Sequence, residues 1–372
     1  NGRMLTDAGI ETGRNLLVRD GMIEGVVGAR EIVGADRTID LEGQLLVPGF
    51  IDTQVNGGGG GLFNDEPSVE AIAAIGQAHR RFGTTGYLPT LISDDLSVVA
   101  SAIDAVREAI TRGVPGVLGI HIEGPFLSNE RRGVHDASKL RTLDEDAMKL
   151  LVTPHGGVTM VTLAPERTTP AIIGALSDAG VIVSAGHTNA TYDELQPALE
   201  AGVRGFTHLF NAMSQLGNRD PGAVGAALAH ADSWAGLIVD GHHVHPEVLK
   251  IALRAKRLDR FMLVSDAMPS VGADVREFQI QGRLITVQGD KIVDDEGRLA
   301  GAHLDMAGAV RNTVELLGLP LTDALRMAST YPAEFLKLQG RVGRIAQGQR
   351  ADLVLLDESL DVVESWIAGR AD

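Results

Sequence analysis

Eight apolar, β-branched runs alternate with amphipathic stretches through the middle of this chain, and no other feature constrains its fold as strongly. The runs lie at residues 45–55, 85–92, 116–124, 158–165, 181–187, 205–210, 235–240 and 261–266. Helical stretches lie between most of them, at residues 68–82, 96–111, 191–200 and 246–257. Near-continuous apolar strands separated by helices are typical of a closed parallel barrel, so we predict an α/β fold with a (β/α)8 TIM-type barrel. A doubly wound open sheet is the alternative, but no glycine-rich dinucleotide fingerprint follows the first run to support it.

The two ends of the chain lack helical periodicity and contain short strand patterns bounded by turns. The pairs Asp20-Gly21 and Glu42-Gly43 mark turns near the N-terminus, and apolar runs at 340–345 and 351–357 look similar. We therefore predict a small β-sandwich domain assembled from residues 1–46 and 339–372. The catalytic barrel would then occupy residues 47–338.

The composition restricts both the partners and the chemistry. The 372 residues include no cysteine, and the formal net charge is -16. Any metal must therefore be held by nitrogen and oxygen ligands. The acidic balance argues against nucleic acid and anionic membranes as partners. Because no apolar run could span a bilayer and no signal peptide is recognisable, we expect a cytoplasmic protein that acts on a small molecule.

Polar side chains stand where several of the apolar runs end. Glu123, His187 and His208 supply one carboxylate and two imidazoles, which is the ligand set of a catalytic zinc-type site with a further position for water. The carboxyl ends of barrel strands share one face, so these side chains should converge there. Burying them without a metal or substrate would leave costly unpaired polar groups. Asp266 ends the last run and is suited to accept a proton from an activated water.

This ligand set predicts one divalent metal ion per subunit. Zinc is favoured, but iron, manganese or cobalt suits the same ligands, because affinity order alone does not decide occupancy. The sequence leaves the choice among these metals open.

Six motifs, in order along the chain, carry a resemblance to a known family. They are Pro48-Gly-Phe-Ile-Asp52, His121-Ile-Glu-Gly-Pro-Phe126, Val161-Thr-Leu-Ala-Pro-Glu166, Ala185-Gly-His-Thr-Asn-Ala190, Thr207-His-Leu-Phe-Asn-Ala-Met213 and Val264-Ser-Asp266. From about Leu45 to the C-terminus the chain resembles the N-acetylglucosamine-6-phosphate deacetylases of the amidohydrolase superfamily. The resemblance implies hydrolysis of the acetamide of N-acetyl-D-glucosamine 6-phosphate by a metal-activated water, giving D-glucosamine 6-phosphate and acetate.

The same resemblance assigns expected roles to individual residues. It implies metal ligation by the three strand-end residues described above, with Asp266 as general base and then general acid. It implies that His135 contacts the substrate and polarises the acetyl carbonyl. Residues expected to bind substrate are Asn211, the Ala212 backbone, Arg219 and His243 at the sugar phosphate, and Leu304 and Met306 at the acetyl pocket. A homodimer is also implied, with the Arg219-type residue reaching across the interface.

Two of these assignments have alternatives from the residues alone. Arginine is suited to bidentate phosphate contacts, but Arg219 lies in a polar loop and also fits a solvated surface residue. His242 precedes His243 directly, so either member of the pair could face the substrate.

The first run departs from a pattern that many amidohydrolases share. Where they carry His-x-His for a second metal, this chain has Gln54-Val55-Asn56. Amide side chains are poor ligands for a zinc-type ion, so we predict a single ion with Gln54 beside it as a hydrogen-bonding residue. The run at 158–165 has no lysine, whereas hydantoinase-like relatives carry a carbamylated lysine there.

Two other functions remain open at this point. One is another metal-dependent amidohydrolase that acts on an N-acyl amino acid or an unphosphorylated acetamido sugar. The other is a non-catalytic barrel used for assembly, although such a barrel would have no need of the strand-end histidines and acids.

Overall fold

The computed structural model describes residues 2–29, 31 and 34–371. Its strands are β1 (Arg3–Thr6), β2 (Gly9–Thr12), β3 (Arg14–Arg19), β4 (Met22–Gly28), β5 (Leu45–Pro48), β6 (Phe50–Val55), β7 (Gly57–Gly58), β8 (Gly61–Leu62), β9 (Thr84–Ile92), β10 (Gly119–Glu123), β11 (Val158–Leu163), β12 (Ile182–Ala185), β13 (Val203–Phe206), β14 (Trp234–Leu237), β15 (Phe261–Leu263), β16 (Glu277–Ile280), β17 (Arg283–Gln288), β18 (Lys291–Asp294), β19 (Leu353–Leu356), β20 (Val362–Ile367) and β21 (Arg370–Ala371). Its helices are α1 (Val69–Arg80), α2 (Leu96–Thr111), α3 (Glu145–Leu151), α4 (Pro170–Asp178), α5 (Tyr192–Ala201), α6 (Gly222–Ala229), α7 (Pro246–Ala255), α8 (Met306–Glu315), α9 (Leu321–Ala328) and α10 (Thr330–Phe335).

Eight parallel strands form a nearly closed barrel in the order β6, β9, β10, β11, β12, β13, β14 and β15. The first and last strands meet at the carboxyl rim, where Val55, the last residue of β6, pairs with Ala267, just after β15. Asp52 strengthens this closure because it accepts hydrogen bonds from the backbone N–H and the hydroxyl of Ser265. The predicted (β/α)8 fold is confirmed, and the carboxyl ends of all eight strands share one rim.

Several barrel helices begin at the residues that the sequence indicates. The Ser68 hydroxyl accepts a hydrogen bond from the third residue of α1, and Thr191 and Glu194 form a reciprocal capping box at α5. Pro246 opens α7, where its missing N–H costs nothing. Within the described ranges of the chain, no helix is long and apolar enough to cross a membrane.

The two ends of the chain form a separate sheet in the order β2, β1, β5, β19, β20 and β21, with the β3–β4 hairpin beside it. Their buried apolar residues form a small core of their own: Met4, Ile23, Leu46, Ile345, Ala351, Leu353, Leu355 and Trp366. The predicted strand at 45–55 is divided between the two sheets, with β5 in the terminal sheet and β6 in the barrel. The break falls at Gly49, where a Cβ atom would lie 1.9 Å from the Thr85 hydroxyl oxygen. Strand β5 of the terminal sheet therefore extends to Pro48, two residues past residue 46, where the predicted N-terminal part of the small domain ends.

An antiparallel meander of β16, β17 and β18, which was not predicted from the sequence, follows the last barrel strand. Its inner face contributes Ile280, Ile285, Val287 and Ile292 to a second small core. The other side of that core is built at the barrel rim from Leu62 of β8, Ile92 at the end of β9, and the loop residues Val134, Met268 and Ala300. The meander therefore lies against the rim where the polar strand ends converge.

Candidate active site

The three predicted metal ligands meet at the carboxyl rim of the barrel. Nε2 of His187 and Nε2 of His208 lie 3.2 and 3.0 Å from Oε1 of Glu123, and 3.1 Å from each other. Ligand atoms bound tetrahedrally at about 2.0–2.1 Å from one ion are about 3.3 Å apart. The triangle therefore has nearly the size that a single ion requires, and one carboxylate with two imidazoles suits a zinc-type ion.

Hydrogen bonds and charges make these three ligand atoms, Oε1 of Glu123 and Nε2 of His187 and His208, suited to bind a cation. Nδ1 of His187 lies 2.9 Å from the Arg131 carbonyl oxygen, which can only accept, so this nitrogen carries the proton and Nε2 is left unprotonated. Burial alone would raise the pKa of Glu123, but the adjacent imidazoles of His187 and His208 outweigh it and hold that pKa well below its ordinary value. Glu123 is thus a buried carboxylate ready to bind a positive ion.

Two amides occupy the positions where a His-x-His pair would stand. Gln54 Nε2 lies 3.2 Å from each carboxylate oxygen of Glu123 and 3.0 Å from Oδ1 of Asp266. Asn56 Nδ2 donates to the same Asp266 oxygen at 2.7 Å. Burial and the neighbouring charge of Glu123 raise the pKa of Asp266 to about 6. The two carboxylates are therefore held side by side by amide N–H groups, and Asp266 can exchange a proton near neutral pH.

Replacing Gln54 with methionine should weaken metal binding about 10- to 100-fold, which is the usual effect of removing a hydrogen-bond partner of a metal ligand. The loss follows because Glu123 and Asp266 would then lack the donor they share. Competition with a chromophoric chelator measures the affinity. Gln288→Met, at an exposed position of β17, is the matched control. Unchanged affinity in Gln54→Met would contradict the assigned contact.

Three of these strand-end residues have a backbone conformation that side-chain-bearing residues rarely adopt. The φ angles of His187, His208 and Asp266 are 47°, 33° and 51°. Such strained conformations concentrate at functional sites, where the surrounding structure holds them in place. Close packing beside His187 is one such restraint, because a Cβ atom at Gly186 would lie 2.7 Å from the Thr162 methyl carbon.

A cavity of about 300 Å³ opens above the triangle. Of the residues predicted for the site, eight line it: Glu123, His135, His187, His208, Asn211, Ala212, His243 and Asp266. Burial and the neighbouring His187 lower the pKa of His135 to about 3, so its imidazole is neutral. Glu130 and Arg131 also line the cavity and were not predicted from the sequence.

The structure distinguishes the adjacent histidines after β14. Nδ1 of His243 lies 2.6 Å from Oδ2 of Asp240, and the ring of His243 lines the cavity. Nε2 of His242 instead lies 2.8 Å from Oδ2 of Asp290, in the turn between β17 and β18. His243 is therefore the member of the pair that faces the site.

Three of the residues predicted to bind substrate do not line the cavity. Arg219 is exposed in the loop between β13 and α6. Leu304 and Met306 are buried in the main hydrophobic core rather than on the cavity wall, because Met306 is the first residue of α8 and faces inward. The apolar wall is built instead from Ile92, Val134, Met268 and Leu299.

A comparison with known protein families matches residues 45–371 to the Amidohydrolase family. The chain belongs to this family. The match covers the whole barrel and the C-terminal strands, and it confirms the superfamily that the strand-end motifs indicate.

Individual relatives are similar over nearly the full length. An N-acetylgalactosamine-6-phosphate deacetylase of Shewanella sp. (strain ANA-3) is 45% identical over 99% of this chain and 93% of its own length. The crystal structure of an N-acetylglucosamine-6-phosphate deacetylase from Pasteurella multocida has a TM-score of 0.97 at 35% identity, covering 100% of this chain and 98% of that one. A mutant N-acetyl-D-glucosamine-6-phosphate deacetylase from Mycobacterium smegmatis, solved with N-acetyl-D-glucosamine 6-phosphate, has a TM-score of 0.92 at 32% identity, covering 99% and 97%.

Proposed function

We propose that this member of the amidohydrolase family deacetylates an N-acetylated amino sugar 6-phosphate, releasing acetate and the free amine. The observation that carries the proposal is the Glu123, His187 and His208 triangle, with Asp266 held beside it through Gln54. The names of the relatives support the substrate class, since they are deacetylases of such sugars.

The proposed chemistry uses one divalent ion, held by Glu123, His187 and His208, with zinc favoured and iron, manganese or cobalt compatible. A bound ion would supply a water of lowered pKa and polarise the acetyl carbonyl. Asp266 takes the proton of the attacking water and delivers it to the departing amine. His135 donates a hydrogen bond to the acetyl oxygen, on which negative charge develops.

The phosphate end of the substrate needs local donors, because the chain as a whole has a net charge of -16. His243 is one candidate, since Asp240 holds its ring at the cavity. Asn211 and the Ala212 backbone, which also line the cavity, are others. We assign these three to the sugar phosphate.

We propose that Arg219 completes this phosphate site from the second subunit of a homodimer. Arg219 is exposed and does not line the cavity of its own chain, whereas Asn211 and Ala212, earlier in the same loop, do. Leu216 in the same loop is 58% exposed, and Ile251 on α7, the helix that packs against α6, is 61% exposed. An exposed arginine that shares a loop with an exposed leucine suits a subunit interface.

Two sugars compete as the natural substrate. N-acetyl-D-glucosamine 6-phosphate is our first candidate, because the enzymes in the two similar solved structures are named as deacetylases of this sugar. N-acetyl-D-galactosamine 6-phosphate is the second, because the relative with 45% identity carries that name. The sugars differ only in the configuration of one ring hydroxyl, so both belong in the assay.

Replacing Arg219 with alanine should raise KM for the phosphorylated sugar about 10- to 100-fold, the usual cost of losing a charge-assisted hydrogen bond. Turnover of unphosphorylated N-acetylglucosamine should be unaffected, because it has no phosphate to contact. Arg276→Ala, in the exposed segment before β16, is the matched control. If Arg219→Ala leaves KM for both phosphorylated sugars unchanged, the phosphate assignment is wrong.

A further inference from the structure

The ring of His135 is held from the side opposite the cavity by a single residue, Ser93. Nδ1 of His135 lies 3.2 Å from the Ser93 backbone nitrogen and 2.7 Å from its hydroxyl oxygen. A backbone N–H can only donate, so Nδ1 is an acceptor and carries no proton. In the neutral imidazole, the proton therefore lies on Nε2.

Gln281 in turn holds the backbone on both sides of this contact. Its Oε1 accepts a hydrogen bond of 2.8 Å from the N–H of Asp136, and its Nε2 donates to the carbonyl oxygen of Ser93. Because one partner can only donate and the other can only accept, the orientation of this amide is determined. The side chain thus ties Ser93 and the residue after His135 to the turn between β16 and β17.

The neighbouring histidine has the opposite arrangement. The rings of His135 and His187 lie 4.5 Å apart between centroids. His187 has its proton on Nδ1, facing the Arg131 carbonyl, and presents an unprotonated Nε2 to the metal triangle. A ring nitrogen of His135 lies within 4.8 Å of ligand atoms on Glu123 and His187, so a bare nitrogen there could compete as a ligand. A proton on Nε2 prevents that competition and leaves a donor.

We propose that Ser93 and Gln281 are positioning residues that hold His135 as the Nε2–H tautomer, with this N–H facing the cavity as a hydrogen-bond donor. The inference rests on the proposed function, in which that donor meets the acetyl oxygen. The inference also assigns a role to the meander. The apolar core that the meander forms with Val134 and Met268 anchors the turn that carries Gln281. The tautomer of His135 is thereby coupled to an element outside the barrel.

The test uses the zinc-loaded protein and compares wild type with Ser93→Ala and Gln281→Met. NMR of the imidazole nitrogens reads the tautomer of His135 without substrate, and the signal is assigned by its loss in His135→Gln. We expect a pyrrole-type Nε2 and a pyridine-type Nδ1 in wild type, and a mixture of tautomers in both variants. Turnover should fall about 10- to 100-fold, as for other partners that orient a site histidine, with zinc content and KM unchanged.

Gln279→Met is the matched control, because Gln279 is exposed on β16, two residues before Gln281. Gln281→Glu serves as a second variant, since it keeps the acceptor for Asp136 and loses only the donor to Ser93. The inference is overturned if wild-type His135 carries its proton on Nδ1, or if the variants lose turnover with the tautomer unchanged. Since the NMR signal needs no substrate, a protein that deacetylates no amino sugar phosphate but has the expected signals would refute the proposed function alone.

Discussion

Asp266→Asn is expected to lower turnover about 10²- to 10⁴-fold, the usual contribution of a general base and acid. Asparagine has the same shape, and its carbonyl oxygen can still accept hydrogen bonds from Gln54 and Asn56. It cannot take up the proton of the attacking water. The metal content should be unchanged, because no predicted ligand is altered. The measurement is kcat for acetate release, made alongside metal analysis of the same preparation.

An exposed aspartate provides the control for this substitution. Asp274 lies in the segment after β15 with its side chain 88% exposed, so Asp274→Asn should behave like wild type. An Asp266→Asn protein that keeps its metal and near-normal kcat would show that another group moves the proton. Loss of metal in the same variant would mean that Asp266 holds the ion rather than the proton.

Glu123→Gln is expected to abolish metal binding and, with it, turnover. The Oε1 atom of Glu123 is the point at which Nε2 of both His187 and His208 converge. An amide is a poor ligand for a zinc-type ion, and its loss of charge leaves two imidazoles without their anion. We expect the purified variant to contain no stoichiometric metal, and the melting temperature to fall to that of chelator-treated wild type, because ion binding no longer stabilises the folded state.

Glu108→Gln tests whether loss of any glutamate has this effect. Glu108 is exposed on α2, where it pairs with Arg112, so its replacement should change neither metal content nor melting temperature. A Glu123→Gln protein that binds one equivalent of metal with wild-type affinity would refute the ligand set.

The barrel was predictable because its strands are largely apolar and buried, so that they are distinct in the sequence from the amphipathic helices between them. The break at Gly49 was not, since it depends on how closely the chain approaches Thr85. The meander escaped prediction because its strands are short and, in β17, buried Ile285 and Val287 alternate with half-buried or exposed residues that include the apolar Leu284. A period-two pattern bounded by Gly282 and Gly289 was its only signal.

The candidate site was predictable to the extent that strand ends carry its groups. Glu123, His187 and His208 lie at the ends of three different strands and so share one rim, where the structure places them within hydrogen-bond distance of each other. It could not choose between His242 and His243, because the choice depends on Asp290 in the unpredicted meander. The contacts of Ser93 and Gln281 behind His135 could not be predicted either, because they join segments that are far apart in the sequence.

Titrating metal-free protein with zinc while measuring acetate release from N-acetyl-D-glucosamine 6-phosphate tests the central claim most directly. The claim is that one ion, held by Glu123, His187 and His208, serves an amino sugar 6-phosphate deacetylase. The predicted result is that acetate release rises linearly with zinc and stops rising at one equivalent per chain, and that unphosphorylated N-acetylglucosamine is a much poorer substrate. Activity that needs a second equivalent, that persists without metal, or that is absent with both the glucosamine and galactosamine phosphates would contradict it.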